Sequence, residues 1–431
     1  TSSLPIRAWW RGRRVRVGAP AAFQGRRIVL ETGVQQGRGG AESTGALLHK
    51  LKLMDLVMLG AGTAIGASIF TVLGPAAQIG HEGLLIAVGL AAIPMGIFAL
   101  VYAYMASAVP CTAASYEWQR EFSSPLMAFS IVWMRVISNA VVMVILAQVM
   151  VSYLSKVIAL PMKPTMFGLF VVVAGLNYVG VMVAARVQTA LMFLLLAALG
   201  IFVVAAAPSF RPELFVAAVG RGWGPILAAL PLMIQLFLGI ETATEVGGEV
   251  ADARRKVPLG VALSLLLTVV VYVSVAFAAM SLVGADGLAS TDAPLLFAAE
   301  RAVGHWAPAL IVTAAVVSLV KSMNAVFLVY TRFLYAMGVS GVLPKAFGRV
   351  HPRFGTPHVA IAVAVAASVA CLALPSRLLI LLLAVNVPTM LKYFGSCLAA
   401  FNVAANRPDV QAQATLRFSP GFVKALSVLG M

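Results

Sequence analysis

The sequence predicts an all-α polytopic membrane protein of ten spans. It reads as two five-span halves in inverted repeat, with the first and sixth spans discontinuous. Three observations carry this. The chain of 431 residues is 61% hydrophobic and only 11% charged, whereas soluble globular proteins carry roughly 25% charged residues. Ten apolar runs reach the length of about 20 residues that crosses a hydrocarbon core as a helix. Two of those runs, five spans apart, are interrupted by glycine at mid-depth.

Residues 1–50 hold nine Lys/Arg against two Glu and show no periodicity (WWRGRRVRVG, then Gly-, Arg- and Ala-rich sequence). Such composition buries too little apolar surface to fold, and it lacks the apolar core of a signal peptide. A basic, disordered cytoplasmic tail is expected. Much of the net charge of +16 sits there, so the charge is not a nucleic-acid signal. Residues 51–405 form the expected ten-helix core, with spans at 53–73, 85–108, 125–154, 165–184, 187–207, 224–247, 257–283, 305–337, 358–375 and 377–404. Residues 406–431 are expected to form a cytoplasmic loop and the start of an eleventh helix, near Phe422, cut off at Met431.

Loop charges orient the chain in the lipid bilayer. With the N-terminus inside, the inner loops hold Arg120, Arg186, the run Arg254–Arg255–Lys256, and Lys345, Arg349 and Arg353. The outer loops hold Lys163, Arg211, Arg221, Arg301 and Arg377, spread thinly. That bias agrees with the positive-inside rule and predicts a cytoplasmic N-terminus in a cell membrane.

Several chemistries lack their motifs. Cys111, Cys371 and Cys397 form neither a disulfide framework nor a metal spacing, and the five histidines show no ligand spacing. No cofactor or metal is expected. Neither H-E-x-x-H nor G-x-S-x-G occurs, which argues against an intramembrane enzyme. G-x-x-x-x-G-K-[ST] is absent too, which argues against ATP-driven pumping by this chain.

The first span contains GAGTAIGASIF, Gly60 to Phe70. The sixth contains QLFLGIETATEVGGEV, Gln235 to Val250, broken at Gly239. Interrupted helices at matching places in two halves point to a transporter binding site. Non-helical backbone survives in a bilayer only where it is buried in protein or lines a cavity. There, freed N–H groups hold a carboxylate and freed C=O groups an ammonium. For the first span alone, glycines that serve close helix packing are an equal alternative.

Ionisable groups at mid-bilayer cost at least ~2.5–3.5 kcal/mol on insertion scales, so each is a functional candidate. Glu241 follows the sixth-span break directly. It is either a proton-coupling group or a structural carboxylate capping freed N–H groups. Glu245 lies one turn on, as a partner for a basic residue or a lining of the inner vestibule. Lys321 sits mid-span in SLVKSMNAVF, beside Ser322 and Asn324. It either serves the site or pairs with Glu241 or Glu245. Asn139, Asn324 and Asn386 are candidate side-chain contacts, with interhelical hydrogen bonds as the alternative. Arg135 is expected to pair with an acid such as Glu121, and Lys392 to snorkel towards the cytoplasmic end.

Three stretches give the chain a resemblance to the amino acid–polyamine–organocation transporters. GAGTAIGASIF is similar to the family's G-x-G-x-x-I-G-x-G-I-F, with Ser68 where glycine is usual. GEVADARRKVP, Gly248 to Pro258, resembles E-E-V-x-N-P-x-R-x-x-P, with Asp252–Ala253 replacing Asn–Pro. RFLYAMGVSGVLPKAFGRVHPRFGTP, Arg332 to Pro357, resembles R-x-L-Y-A-M-A-R-D-G-x-L-P-x-x-F-x-x-V-H-P-R-F-G-T-P and is the most specific.

The resemblance implies the LeuT-like fold and a secondary carrier of amino acids or amines working by alternating access. It places the substrate carboxylate at the N–H groups of Gly66, Ala67 and Ser68. The ammonium falls at carbonyls near Ala64, Ile65 and Leu238, beside Gly239. It implies proton sensing for Glu241, and for Lys321 an ammonium in the region where sodium-coupled relatives bind sodium. Gln235 takes a place where some exchangers of cationic amino acids have an aromatic ring. A neutral amino acid is therefore favoured, moved without sodium by proton coupling or exchange. The alternatives are a cationic amino acid or polyamine exchanger, and a transport-incompetent sensor.

Overall fold

The computed structural model describes residues 51–66, 68–155, 158–291, 293–373 and 378–431, with the side chains of Thr71 and of residues 378–386 outside that description. The expected tail at 1–50 lies outside it as well. Among the described residues there are helices and two isolated bridges, and no strand. A spanning segment must satisfy its own backbone polar groups, because lipid offers no partner.

The first span is split. α1 (Leu53–Ala64) starts from Lys52, whose N–H donates to Asp55 Oδ2 at 2.9 Å, and stops at Ile65, where ψ turns to 66°. Helix resumes in α2 (Ser68–Thr71) and α3 (Leu73–Gly80), so the span continues past the expected end at 73. α4 (Leu84–Leu90) and α5 (Ala92–Ala108) make the second span. A short α6 (Ala114–Phe122) leads into α7 (Pro125–Leu154), whose bounds are those expected. Ser124 caps α7 and proline fills its first position, where no N–H is missed.

α8 (Met162–Val179) and α9 (Val181–Ala206) divide at Gly180, not near Arg186, because Gly180 sits at φ +148°. A side chain resists that conformation and glycine does not. α10 (Glu213–Gly220) meets α11 (Trp223–Leu236) at 108°. After a second break come α12 (Thr242–Glu245) and a 3-10 turn at Gly247–Glu249. α13 (Ala253–Ala289), kinked at Gly284, α14 (Pro294–Val303), α15 (Ala307–Val339), α16 (His358–Ala370), α17 (Leu378–Asn406), α18 (Pro408–Gln411) and α19 (Pro420–Leu429) complete the chain.

Seven described helical stretches are long and apolar enough to cross a membrane, and the bent α10–α11 pair makes an eighth. Large apolar side chains such as Ile137, Phe193, Val204 and Leu266 stand exposed. In a bilayer this surface faces lipid rather than water.

Buried apolar residues form two clusters. One joins α7, α8, α15 and α16. The other is built mainly on α1 to α5, α11 and α13, with α9 and α17 against them. The first cluster holds spans three, four, eight and nine, and the second is centred on spans one, two, six and seven. Both broken spans belong to one cluster, and the other stands opposite them.

Candidate functional site

The two glycine-marked segments meet. A Cβ at Gly239 would lie 2.6 Å from Thr63 Cγ2, and Gly239 itself sits at φ +111°. Only glycine satisfies both the close approach and the backbone angle. In the first span the glycines divide between the two readings of the motif. Gly60 and Gly62 lie inside continuous α1, pressed against Ile240 O and the Gln188 amide. They serve packing. The break comes after them, around Ile65 and Gly66.

Between the breaks on one side and α7 and α15 on the other lies a cavity of about 280 Å³. Thr63, Ala64, Gly66 and Ser68 line it from the first break, and Gln235, Leu238, Gly239 and Glu241 from the second. The opposite wall grades along α7 from Arg135 and Asn139 to Val142, Ile145 and Leu146, and α15 adds Val326 and Val329. Asn139 is buried, and neither its amide oxygen nor its nitrogen has a protein partner. Ser322 Oγ, 2.9 Å from where a Gly66 Cβ would stand, also lacks one. Buried polar atoms are seldom left so, and both residues line the cavity.

At the first break the carbonyls are already engaged. Lys321 Nζ, fully buried, donates to Gly62 O and to Ile65 O, the latter at 2.8 Å. Ser318 Oγ donates to Ile65 O at 3.0 Å. Tyr272 Oη, from α13, lies 2.5 Å from Ala64 O and 2.9 Å from Leu236 O. One hydroxyl thus bridges the C-terminal ends of α1 and α11. Gly66 N–H donates to Ala64 O at 2.7 Å. Of the groups expected to meet substrate here, Ala64 O, Ile65 O and Gly66 N–H therefore have protein partners. Ala67 lies outside the described residues.

The second break is organised around a carboxylate. Glu241 Oε2 accepts from Gly239 N–H at 3.0 Å and from Tyr393 Oη at 2.7 Å, while Oε1 pairs with Lys392 Nζ at 2.7 Å. Lys392 does not snorkel outwards. It is buried and also lies 3.7 Å from Glu245. Glu245 accepts from Ser115 N–H at 3.1 Å and from the Ser115 hydroxyl. Neither glutamate pairs with Lys321.

Other expectations shift. Asn324 is not at the cavity. It accepts from Asn177 at 2.9 Å and donates to Ala184 O, joining α8, α9 and α15. The Asn386 side chain lies outside the described residues. Arg135 does not meet Glu121, which is exposed. Instead it donates to Ser138 Oγ at 3.1 Å and faces the cavity.

Sequence reasoning missed three contacts. Tyr272 lies in an apolar run with nothing to mark it. Lys392 was legible by the rule applied to Lys321, since any mid-span lysine needs a partner. Glu249 and Arg332 stand in two of the resemblance stretches and form a fully buried two-pronged ion pair at 2.8 and 3.0 Å.

The pattern that defines the amino acid permease family matches residues 51–430. A branched-chain amino acid permease of Bacillus subtilis is 28% identical over 339 residues, covering 73% of this chain and 72% of that protein. An uncharacterized transporter of Mycobacterium tuberculosis is 31% identical over 332 residues, covering 76% and 74%. A vacuolar cationic amino acid transporter of Arabidopsis thaliana is 25% identical over 340 residues, covering 72% and 56%.

Proposed function

Because the chain belongs to the amino acid permease family, we propose that it carries a neutral amino acid with an aliphatic side chain, by alternating access and without sodium. The observation that carries the specificity is the wall of Val142, Ile145, Leu146, Val326 and Val329 facing the two breaks. Such a surface favours an apolar side chain and penalises a charged one left without a partner. Arg135 at the same cavity adds a cation that disfavours cationic substrates. The similarity to a branched-chain permease agrees with this choice.

The substrate backbone sits at the breaks. Its carboxylate turns towards Ser68 and the unpartnered Ser322 hydroxyl, and its ammonium towards the Leu238 and Gly239 backbone. Asn139 reads the substrate from α7. Sodium independence follows from Lys321, whose ammonium takes the Gly62 and Ile65 carbonyls at the negative end of α1. A helix C-terminus carries roughly half a negative charge, so this is where a metal cation would otherwise bind. Coupling is to protons through a carboxylate at the second break. The loop charges support a cytoplasmic N-terminus.

Counterflow into proteoliposomes without sodium tests the reading. Aliphatic amino acids are expected to exceed lysine and arginine by at least about tenfold. Preference for lysine would overturn the assigned specificity. Failure to exchange any amino acid, with the protein folded and inserted, would leave a sensor on the same fold.

A further inference from the structure

The carboxylates of the sixth span outnumber the ammonium between them. Glu241 and Glu245 are both buried, and Lys392 Nζ stands 2.7 Å from the first and 3.7 Å from the second. With both glutamates ionised, one buried negative charge lacks an ion-pair partner, which is costly in a water-poor interior. Glu241 is the better ionised of the two. It has the nearer ammonium, a tyrosine hydroxyl and a backbone N–H, three donors that all suit a carboxylate.

Glu245 has a different neighbour. The Ser115 hydroxyl both donates and accepts, and its other contact is Tyr102 Oη at 3.3 Å, where either atom can be the donor. Tyr102 in turn donates to Ser396 Oγ at 3.0 Å. When Glu245 is ionised, Ser115 donates to it through both N–H and O–H. When Glu245 is protonated, its own O–H donates to Ser115 Oγ, and the serine proton turns towards Tyr102. Both states are hydrogen-bonded without movement of heavy atoms. A residue built to hold one charge state does not need such a partner.

From this geometry, and resting on the transport reading above, we infer that the proton accompanying the substrate is carried by Glu245, while Lys392 keeps Glu241 ionised. The proton is taken up from water on one side of the membrane and released to water on the other when α12 shifts against α17. Nothing else changes hands. Glu241 faces the cavity and Glu245 does not, so the proton rides behind the substrate rather than against it. The groups around Glu245 are known. Tyr102 stands on α5, Cys111 precedes α6, Arg135 is on α7, and Lys392 is on α17. On the other packed elements several charges have partners of their own, Lys321 meets the end of α1, and Glu121 and Arg255 are exposed. Asp55 takes Lys52 N–H, Glu117 takes Arg120, Arg254 takes Gln413, and Arg332 takes Glu249.

The test uses the full chain in sodium-free proteoliposomes enclosing a pH-sensitive dye, with labelled leucine as the probe. Uptake and substrate-driven proton entry are read between about pH 5.5 and about pH 7.5. Wild type is expected to take up leucine several-fold faster at the acid end and to acidify the lumen. Glu245→Gln is expected to flatten the pH ratio to about one and to abolish acidification. Ser115→Ala removes a donor to the ionised carboxylate and so moves the midpoint of the profile to higher pH. This second variant decides the matter should Glu245→Gln fail to fold. Proton entry that survives in Glu245→Gln, an unmoved midpoint in Ser115→Ala, or a flat wild-type profile would each overturn the proposal while leaving transport standing. A wild type inert towards every amino acid would overturn the transport reading and this proposal together.

Discussion

The two helix breaks do the same architectural job with opposite electrostatics. At the first, backbone carbonyls are freed, and they are met by one ammonium and two hydroxyls, from Lys321, Ser318 and Tyr272, with no ion-pair partner for Lys321 among the described residues. At the second, a backbone N–H is freed and is met by the Glu241 carboxylate, which brings Lys392 with it. The difference follows from helix ends. A twelve-residue α1 presents a sizeable negative terminus that itself balances a cation. The four-residue α12 offers little field to balance an anion, so Glu241 at its start and Glu245 at its end require a side-chain cation. A lone buried charge is tolerable at one break and not at the other.

That contrast is broken hardest at Lys392. Lys392→Met leaves two buried glutamates without their ammonium and is expected to cost about 3–5 kcal/mol, read as a lowered melting temperature in detergent. Combining it with Glu241→Gln and Glu245→Gln should recover most of the loss. An unshifted melting temperature in Lys392→Met would mean that α12 needs no cation.

Lys321→Ala is expected to cost less, about 1.5–3 kcal/mol for charged hydrogen bonds, because the α1 terminus keeps its hydroxyl partners. Its sharper effect is on transport, which should fall by about tenfold or more and be partly restored by sodium. Transport and ion dependence like wild type would end the idea that this ammonium stands in for a metal ion. The smallest effect belongs to Tyr272→Phe, about 0.5–1.5 kcal/mol. A larger loss would promote the hydroxyl bridge from a cap to the main tie between the half-helices.

Much of this architecture could be read from the sequence, and the limits have a physical cause. Apolar length marked the long helices, because lipid imposes it residue by residue. The breaks at Ile65 and Gly239 were visible because glycine is locally disfavoured in helices. Glu241 and Glu245, one turn apart in the sequence, both come within 4 Å of the Lys392 ammonium. Partners were another matter. Lys392 finds Glu241 from 151 residues away, and Arg332 finds Glu249 from 83. No periodicity links such positions, so only the need for a partner was legible. Boundaries slipped where a backbone angle, as at Gly180, overrode composition. Asn324 looked like a substrate contact beside Lys321, but Asn177 and Ala184, on helices that no spacing within α15 reveals, take its amide.

The ammonium at the first break also sets an order of assembly. The Ile65 carbonyl and its donor Lys321 are 256 residues apart. At ribosomal rates of about 5–20 residues per second, α1 waits roughly 13–50 s for that donor to be made. Until then its freed carbonyls sit in the membrane uncapped by lysine, and Lys321, once made, has a home only if α1 is still in place. The amino-terminal half is therefore the template on which the eighth span docks. Expressed as separate halves, the second half is expected to be the one that the cell degrades.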